Sequence, residues 1–413
     1  MNAAKPPAGD TWFVDSPAVG TGLQARPCGD TLRPAEPPGA ADPVALTLSG
    51  GGFRATLSAL GFVRLLADAG LLPSLRYASS VSGGSVANGC LATAWPALRE
   101  RGCTAGAVDE LVVEPVIERV SSRSLKRSLV RGLWRTLGPM TRTELLAKRL
   151  DEWFFDGIEL KDLDPEVRWV LNAANLTTGV RFTFERDVFG DYTTGLAPTS
   201  GTGLRLSLAV AASAAVPGAF PPVVLDSAHF PCATHPPVLL DGGTYDNTGL
   251  EAVDSERYRH AFLFVLNAGG LLRPGPYGRI PVIRDLARAN SLLYRQSTAL
   301  RTRAIVERFQ LGQRADGQGE PPPPGARRGV LAGLSTDFPA DGSAPLRRWR
   351  ETFGEHRGFD GRDLALVPTV FDRLDAGLCR ALVYRGWWLA GAGLAAFHPQ
   401  YLPDPASLVP PRL

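Results

Sequence analysis

The sequence predicts an α/β protein in which helices flank a mostly parallel central sheet. Three observations predict it. A short apolar run, a glycine-rich turn and a helical pattern follow one another in VALTLS, GGGFR and ATLSALGFVRLLADAG, from Val44 to Gly70. The same order recurs in LRYASSVS, a glycine pair and a second helical pattern. Two such units within about 55 residues imply a right-handed βαβ crossover and parallel strands. HAFLFVLNAGG, from His260 to Gly270, is apolar enough to be a strand covered on both faces.

Taken in order, residues 1–42 are rich in Pro, Gly and Ala, lack periodicity and read as a flexible extension. In the first helix Leu57, Leu60, Val63, Leu66 and Ala69 recur at helical spacing, and Gly70 with Pro73 ends it. Arg119, Arg123, Arg127, Arg131 and Arg135 recur at intervals of four, with Leu125, Leu129, Leu133 and Leu137 offset by two. That pattern predicts a basic amphipathic helix over 118–135, either an ordinary surface helix or a peripheral membrane contact. VRWVLNAANL, GVRFTFERDVF, PPVVLD and PPVLLDGG are further strand candidates, and Pro281 to Phe309 reads as a long helix. Arg314 to Gly329, with four consecutive prolines, reads as an exposed loop inside one domain of residues 43–400. Helical pattern resumes from Asp363 to Phe397, and 401–413 form a tail.

Composition excludes several function classes. A net charge of +3 is too mild for a nucleic-acid partner. Five scattered cysteines (Cys28, Cys90, Cys103, Cys232, Cys379) without a CxxC pair argue against a disulfide framework and suit a reducing cytosol. No apolar segment follows Lys5 as a signal peptide requires, and Leu206 to Leu225 carries three prolines, which disfavours a membrane span. The chain is expected to be cytoplasmic, soluble or peripheral. Its abundance of Arg, Ala, Gly and Pro and its few lysines resemble the usage of GC-rich bacterial genomes.

The chemistry centres on SSVSGGSVANG. Ser82 follows a strand, precedes a helix and has Gly84 two residues on, matching the second half of a G-x-S-x-G nucleophile elbow, with Ser80 in place of the first glycine. A nucleophilic serine needs a sharp turn that exposes its hydroxyl, although a serine capping a helix gives the same local pattern. Gly50, Gly51 and Gly52 end the preceding strand, so their N–H groups open toward the same sheet edge and suit an oxyanion. Among the five histidines (His229, His235, His260, His356, His398) none stands in a setting that suggests a base. Asp241 ends an apolar strand ahead of Gly242 and Gly243, and partial burial there raises a carboxylate's pKa toward that of a working base. The alternative is a turn aspartate in a D-G hairpin. His229, Cys232 and His235 lack a fourth ligand for zinc, and the glycine box has no GK[ST] for a nucleotide.

The order of SGGGFRA, then S-x-S-x-G about 30 residues later, then D-G-G far downstream, resembles the patatin-like phospholipase family. The arginine-bearing glycine box is also similar to that of cytosolic phospholipases of the A2 class. AVAASAAVPGAFPPV, DGGTYDNTGLE and VPTVFDRL…LVYRGWWLAGAGL add to the likeness, which covers roughly 44–270 and 365–397. The resemblance implies a three-layer α/β sandwich and a Ser82–Asp241 dyad without histidine. It implies an oxyanion hole from Gly51 and Gly52 with Gly50 shaping the turn, elbow support from Ser80, Gly83 and Gly84, and Arg54 near a head-group phosphate. Ser80 departs from the family's first elbow glycine. No metal or other cofactor is implied. The substrate would be a phospholipid or another acyl ester, the alternatives being a soluble carboxylesterase or a lipid-binding pseudoenzyme.

Overall fold

The computed structural model describes residues 32–125, 127–128, 140–230, 232–271, 281–339, 341–355 and 359–413. Its centre is a mixed sheet. Strands β1 (Val44–Leu48), β2 (Leu75–Val81), β3 (Arg168–Asn175), β4 (Val180–Phe184), β5 (Val188–Asp191) and β6 (Gly195–Pro198) are followed by β7 (Val223–Val224), β8 (Val238–Asp241), β9 (Phe262–Asn267) and β10 (Gly329–Gly333). The spatial order is β10-β9-β1-β2-β3-β4-β5-β6, with β8 paired to β3 and β7. Strands β10 to β3 are mutually parallel, and those beyond β3 run antiparallel.

Side-chain alternation along β1 sets the layers. Leu46 and Leu48 join the large core shared with α1 (Gly52–Asp68), α2 (Gly83–Glu100) and the C-terminal helix α7 (Ala376–Phe397). Ala45, with Leu263 and Val265 of β9, faces the other way, against Ile305 and Phe309 of the long helix α6 (Pro281–Gln318). Each fully buried leucine contributes about 1.5–3 kcal/mol, so a one-residue slip of β1 would sacrifice both faces at once. The result is a three-layer sandwich.

One feature of register positions the chemistry. β2 climbs beside β3 until Val81 stands opposite Asn172. At the next position of β3, Ala173, the neighbour on the sheet is no longer β2 but Asp241, the last residue of the antiparallel β8. Two strands therefore converge head-on along one edge of β3, and the residues at their meeting point are Ser82 and Asp241.

Several expectations are corrected. The basic helix over 118–135 is not continuous. α3 (Glu114–Ser122) stops there, and Arg123 is extended (φ −118°, ψ 138°). The serine run explains the stop: Ser122 Oγ donates to the Glu118 carbonyl, and Ser124 Oγ accepts the Arg127 N–H, so hydroxyls compete with the helical pattern. Arg131, Arg135, Leu129, Leu133 and Leu137 lie outside the described residues. The Pro-rich loop is shorter than 314–329, because α6 continues to Gln318, and Ala326 and Arg327 are buried. The helix expected over 363–397 is broken. Residues 366–375 are not helical, Pro368 lies in the break, and Asp375 caps α7 by accepting from Gly377 N at 2.8 Å. Part of the extension is tied down, Glu36 pairing with Arg257 at 2.5 Å and the Pro38 carbonyl accepting from Arg76; residues 1–31 lie outside the described set. The tail packs on α1, where Arg64 donates to the Val409 carbonyl at 3.1 Å.

Candidate active site

Ser82 follows β2 directly, at φ 53° and ψ −117°, a left-handed backbone that a β-carbon makes costly. Such strain persists only where the surroundings fix it, and here they do. The Ser82 N–H donates to Ser213 Oγ at 2.9 Å, and Ser213 Oγ donates to the Asn172 carbonyl at 2.6 Å. Ser213 closes the small-residue helix α5 (Leu206–Ser213). Its carbonyl also accepts the Gly242 N–H, while the next turn's Ala215 carbonyl accepts the Asp241 N–H at 3.0 Å. One helix end thus holds both converging strands. Ser80 fits because its residue is still extended within β2, and Asn88 Nδ2 and Ser85 Oγ bond its hydroxyl at 2.9 and 3.1 Å.

Asp241 is 4% exposed and accepts the Gly243 N–H at 2.8 Å. Burial pushes its pKa up to about 6, against the downward pull of the nearby Ser82 hydroxyl and the Gly243 N–H. Near neutrality it is ionised, yet it keeps a useful proton affinity.

The glycine turn lies against the elbow. A β-carbon on Gly83 would stand 2.1 Å from the Gly52 carbonyl oxygen. Gly51 (φ 152°) and Gly52 (φ 61°) adopt backbones that glycine tolerates, and Gly52 opens the 17-residue α1. Among the described residues neither the Gly51 nor the Gly52 N–H has a hydrogen-bond partner. Gly50 differs: its N–H is shared between the Asn247 carbonyl and side-chain oxygens, each 3.0 Å away. That removes Gly50 from the donors open to a ligand, because its amide is already committed, and leaves it shaping the turn. Asn247 Oδ1 also accepts the Tyr294 hydroxyl, which reaches in from α6. Burial, and then the Asp241 charge, hold the Tyr294 pKa far above its usual value, so this hydroxyl remains a donor.

Arg54 is placed differently from the head-group expectation. It is 1% exposed, with Nε bonded to the Ala268 carbonyl at 3.0 Å, Nη1 to the Val367 carbonyl and Nη2 to Thr369 Oγ1 at 3.1 Å. Burial lowers its pKa to about 10. The guanidinium clamps the 366–370 segment to the end of β9, behind the glycine turn. Arg54→Lys, which loses the planar fork, is expected to cost roughly 2–4 kcal/mol of stability and to lower kcat without raising KM. Thermal unfolding and steady-state kinetics check it; a KM increase confined to phospholipid substrates would restore the head-group role.

Sequence reading misses Ser213, Asn172 and Tyr294, and reads Asn247 only as fixing, with Asp246, the loop after Asp241. A lone serine in a run of alanines was the available signal for Ser213. Asp246, not Asn247, makes the local turn, accepting from Thr248 N at 2.9 Å. Nothing local marks Tyr294. His229 sits among Phe189 and Phe230. Cys232 is disulfide-bonded, a correction to the expectation of a chain without disulfides, since spacing alone cannot pair distant cysteines. Cys90, Cys103 and Cys379 are free and buried. Among the described residues no group of three or more His, Cys, Asp or Glu side chains is arranged to hold a metal ion, and no helix is long and apolar enough to cross a membrane.

Comparison with known proteins gives a family and a fold. Residues 46–254, just over half of the chain, match the family model described as Patatin-like phospholipase. No curated protein matches the sequence. Among solved structures, human GIVD cytosolic phospholipase A2 aligns with a TM-score of 0.50 at 12% identity, covering 88% of this chain and 60% of its own. VipD from Legionella pneumophila aligns at 12% identity over 79% of this chain and 66% of its own, with a TM-score of 0.33. The likeness to the first is one of fold, and this chain spans about three-fifths of that protein's length.

Proposed function

As the chain belongs to the patatin-like phospholipase family, we propose that it is a serine acyl hydrolase of lipid esters, of phospholipase A or lysophospholipase type, with residues 43–400 as the catalytic domain. The observation that carries this reading is Ser82, held in a strained elbow at the point where β2 and β8 converge, opposite the buried carboxylate of Asp241. Asp241 takes the Ser82 proton as Oγ attacks the ester carbonyl, and the oxyanion is received by the Gly51 and Gly52 amides at the start of α1. The alcohol leaves with that proton. Water, deprotonated by the same carboxylate, then releases the fatty acid. No histidine is required, because one base with a pKa near the working pH serves both half-reactions.

A lipid rather than a soluble ester is supported by the surroundings. Val370 beside Gly52, Val216 beside the Asp241 strand and Leu271 beyond β9 are exposed apolar residues, as are Leu292 and Leu293 just before Tyr294. Exposed apolar side chains on segments that neighbour the dyad and the glycine turn suit an acyl chain or a lipid surface.

The test is covalent labelling. A long-chain alkyl fluorophosphonate is expected to label the wild-type chain at Ser82, and Ser82→Ala not at all, with hydrolysis faster on phospholipid vesicles than on a short-chain soluble ester. A folded wild-type chain that neither labels nor hydrolyses any acyl ester would leave the lipid-binding pseudoenzyme. Equal turnover of soluble and vesicular esters would favour the carboxylesterase.

A further inference from the structure

Away from the dyad, a cavity of about 460 Å³ opens where α3 ends, and its lining is dominated by Arg123, Arg127, Arg149 and Arg373. These arginines come from three separate parts of the chain. The break in α3 turns Arg123 out of the helical stripe, where its guanidinium lies 5.9 Å from the Trp153 ring that also lines the cavity. Arg149 belongs to α4 (Arg142–Leu150), and Arg373 to the irregular segment before α7. Charge is not balanced there. Arg149 pairs with Glu152 at 2.6 Å, while among the described residues Arg123, Arg127 and Arg373 have no carboxylate partner. Arg149 Nε is buried without a hydrogen-bond partner among the described residues. The nearby carboxylate of Asp372 is occupied by the Ser124 hydroxyl and the Arg373 N–H.

Like charges held around one concavity repel, and a bound polyanion turns that repulsion into attraction. Guanidinium forks match phosphate oxygens two at a time, and the Ser128 hydroxyl at the same lining adds a neutral partner. We propose that this pocket binds a phosphate-bearing anion, either the head group of an anionic phospholipid or a free phosphorylated molecule.

The pocket connects to the glycine turn through the segment that carries Arg373. Three residues before Arg373, the Val370 carbonyl accepts the Phe53 N–H at 3.1 Å, and the Phe371 ring meets the Phe53 ring edge-on at 5.3 Å. Phe53 also faces Phe154, which stands 6.1 Å from Trp153. An occupant held by Arg373 and beside Trp153 therefore braces the segment that backs Gly52.

Binding to the full chain is measured with inorganic pyrophosphate by calorimetry, and with sedimenting vesicles of phosphatidylcholine and phosphatidic acid, four to one, against phosphatidylcholine alone. The paired variant Arg127→Gln/Arg373→Gln is expected to weaken binding about tenfold or more, whereas Arg347→Gln/Arg348→Gln, with the same loss of net charge on exposed α-helical positions elsewhere, leaves it unchanged. Pocket-dependent binding of pyrophosphate assigns a free phosphate, and pocket-dependent binding of vesicles alone assigns a head group. Absence of binding to either probe overturns the proposal, as does equal weakening by both variant pairs. Neither measurement needs turnover, so the result stands apart from the fate of the hydrolase reading.

Discussion

Asp241→Asn is expected to lower kcat/KM by about 10³–10⁴-fold and, at neutral pH, to raise stability. Both effects come from the same burial. In the folded chain the carboxyl titrates at about 6, above its ordinary value of 3.8, because desolvation penalises the charged form. A raised carboxylate pKa means that the folded state binds the proton more tightly than the unfolded state. The associated stability is complete below about pH 4 and is lost as pH rises through 6. At pH 7 to 8 the wild-type chain therefore carries a penalty on the order of 3 kcal/mol, from two units at 1.36 kcal/mol each. Asparagine is nearly isosteric, can still accept the Gly243 N–H, and has no charge to desolvate. Its thermal midpoint should exceed that of wild type at pH 8 and converge with it near pH 4. Hydrolysis, by contrast, needs the ionised base, so wild-type kcat/KM should climb through pH 6 and level off above it. A variant that keeps most of its activity would remove Asp241 from the mechanism. A variant that unfolds earlier at pH 8 would mean that hydrogen bonds to the carboxylate outweigh its desolvation.

The parts of this site that could be read from sequence are those in which one residue type answers one local demand. Glycines 50 to 52 end a strand and open a helix, and Ser82 sits between a strand and Gly83 and Gly84, so the turn geometry is written within ten residues of each. Asp241 was legible for the same reason, as a carboxylate that ends an apolar strand. What was not legible is whatever depends on strands meeting. That Asp241 takes the place beside Ala173 which β2 vacates at Val81 is a fact of register between segments 160 residues apart in sequence. The side chains of Ser213 and Asn247 each accept a distant backbone N–H, and neither leaves a local pattern. Arg54 is engaged by contacts that its local pattern does not show. A cation at a helix start beside glycines reads as a ligand contact, but the broken 363–397 helix supplies a carbonyl and a hydroxyl that engage it internally. The arginine repeat failed through a competing local rule, since serines at 121, 122 and 124 end the helix that the period of four implied.

Gly83→Ala is expected to lower kcat by about 10²-fold, although alanine is the better helix former. The position isolates one cause. Gly83 is the first residue of α2 and does not have a positive φ, so an added methyl group meets no backbone penalty. By propensity alone it would stabilise the helix by up to about 1 kcal/mol. The obstacle is the neighbouring turn: the new β-carbon would lie 2.1 Å from the Gly52 carbonyl oxygen and 2.7 Å from its nitrogen. Those are backbone atoms, and Gly52 is itself confined, with the Val370 backbone within 2.5 Å of where its own β-carbon would stand. Neither side can yield without moving the amides away from Ser82. Overpacking of this kind costs about 1–3 kcal/mol, more than the propensity gain, so the thermal midpoint should fall modestly while turnover falls far more. Gly106→Ala is the matched control, a helical glycine with open space around its β-carbon position, and should leave both unchanged. A fluorophosphonate separates the two halves of the site further. If the damage lies in the oxyanion turn, Gly83→Ala should label slowly but at Ser82, because the ends of β2 and β8 that carry Ser82 and Asp241 keep their places. If Gly83→Ala turns over at the wild-type rate, the close approach of elbow and turn has no part in catalysis, and the oxyanion role of Gly51 and Gly52 loses its structural basis.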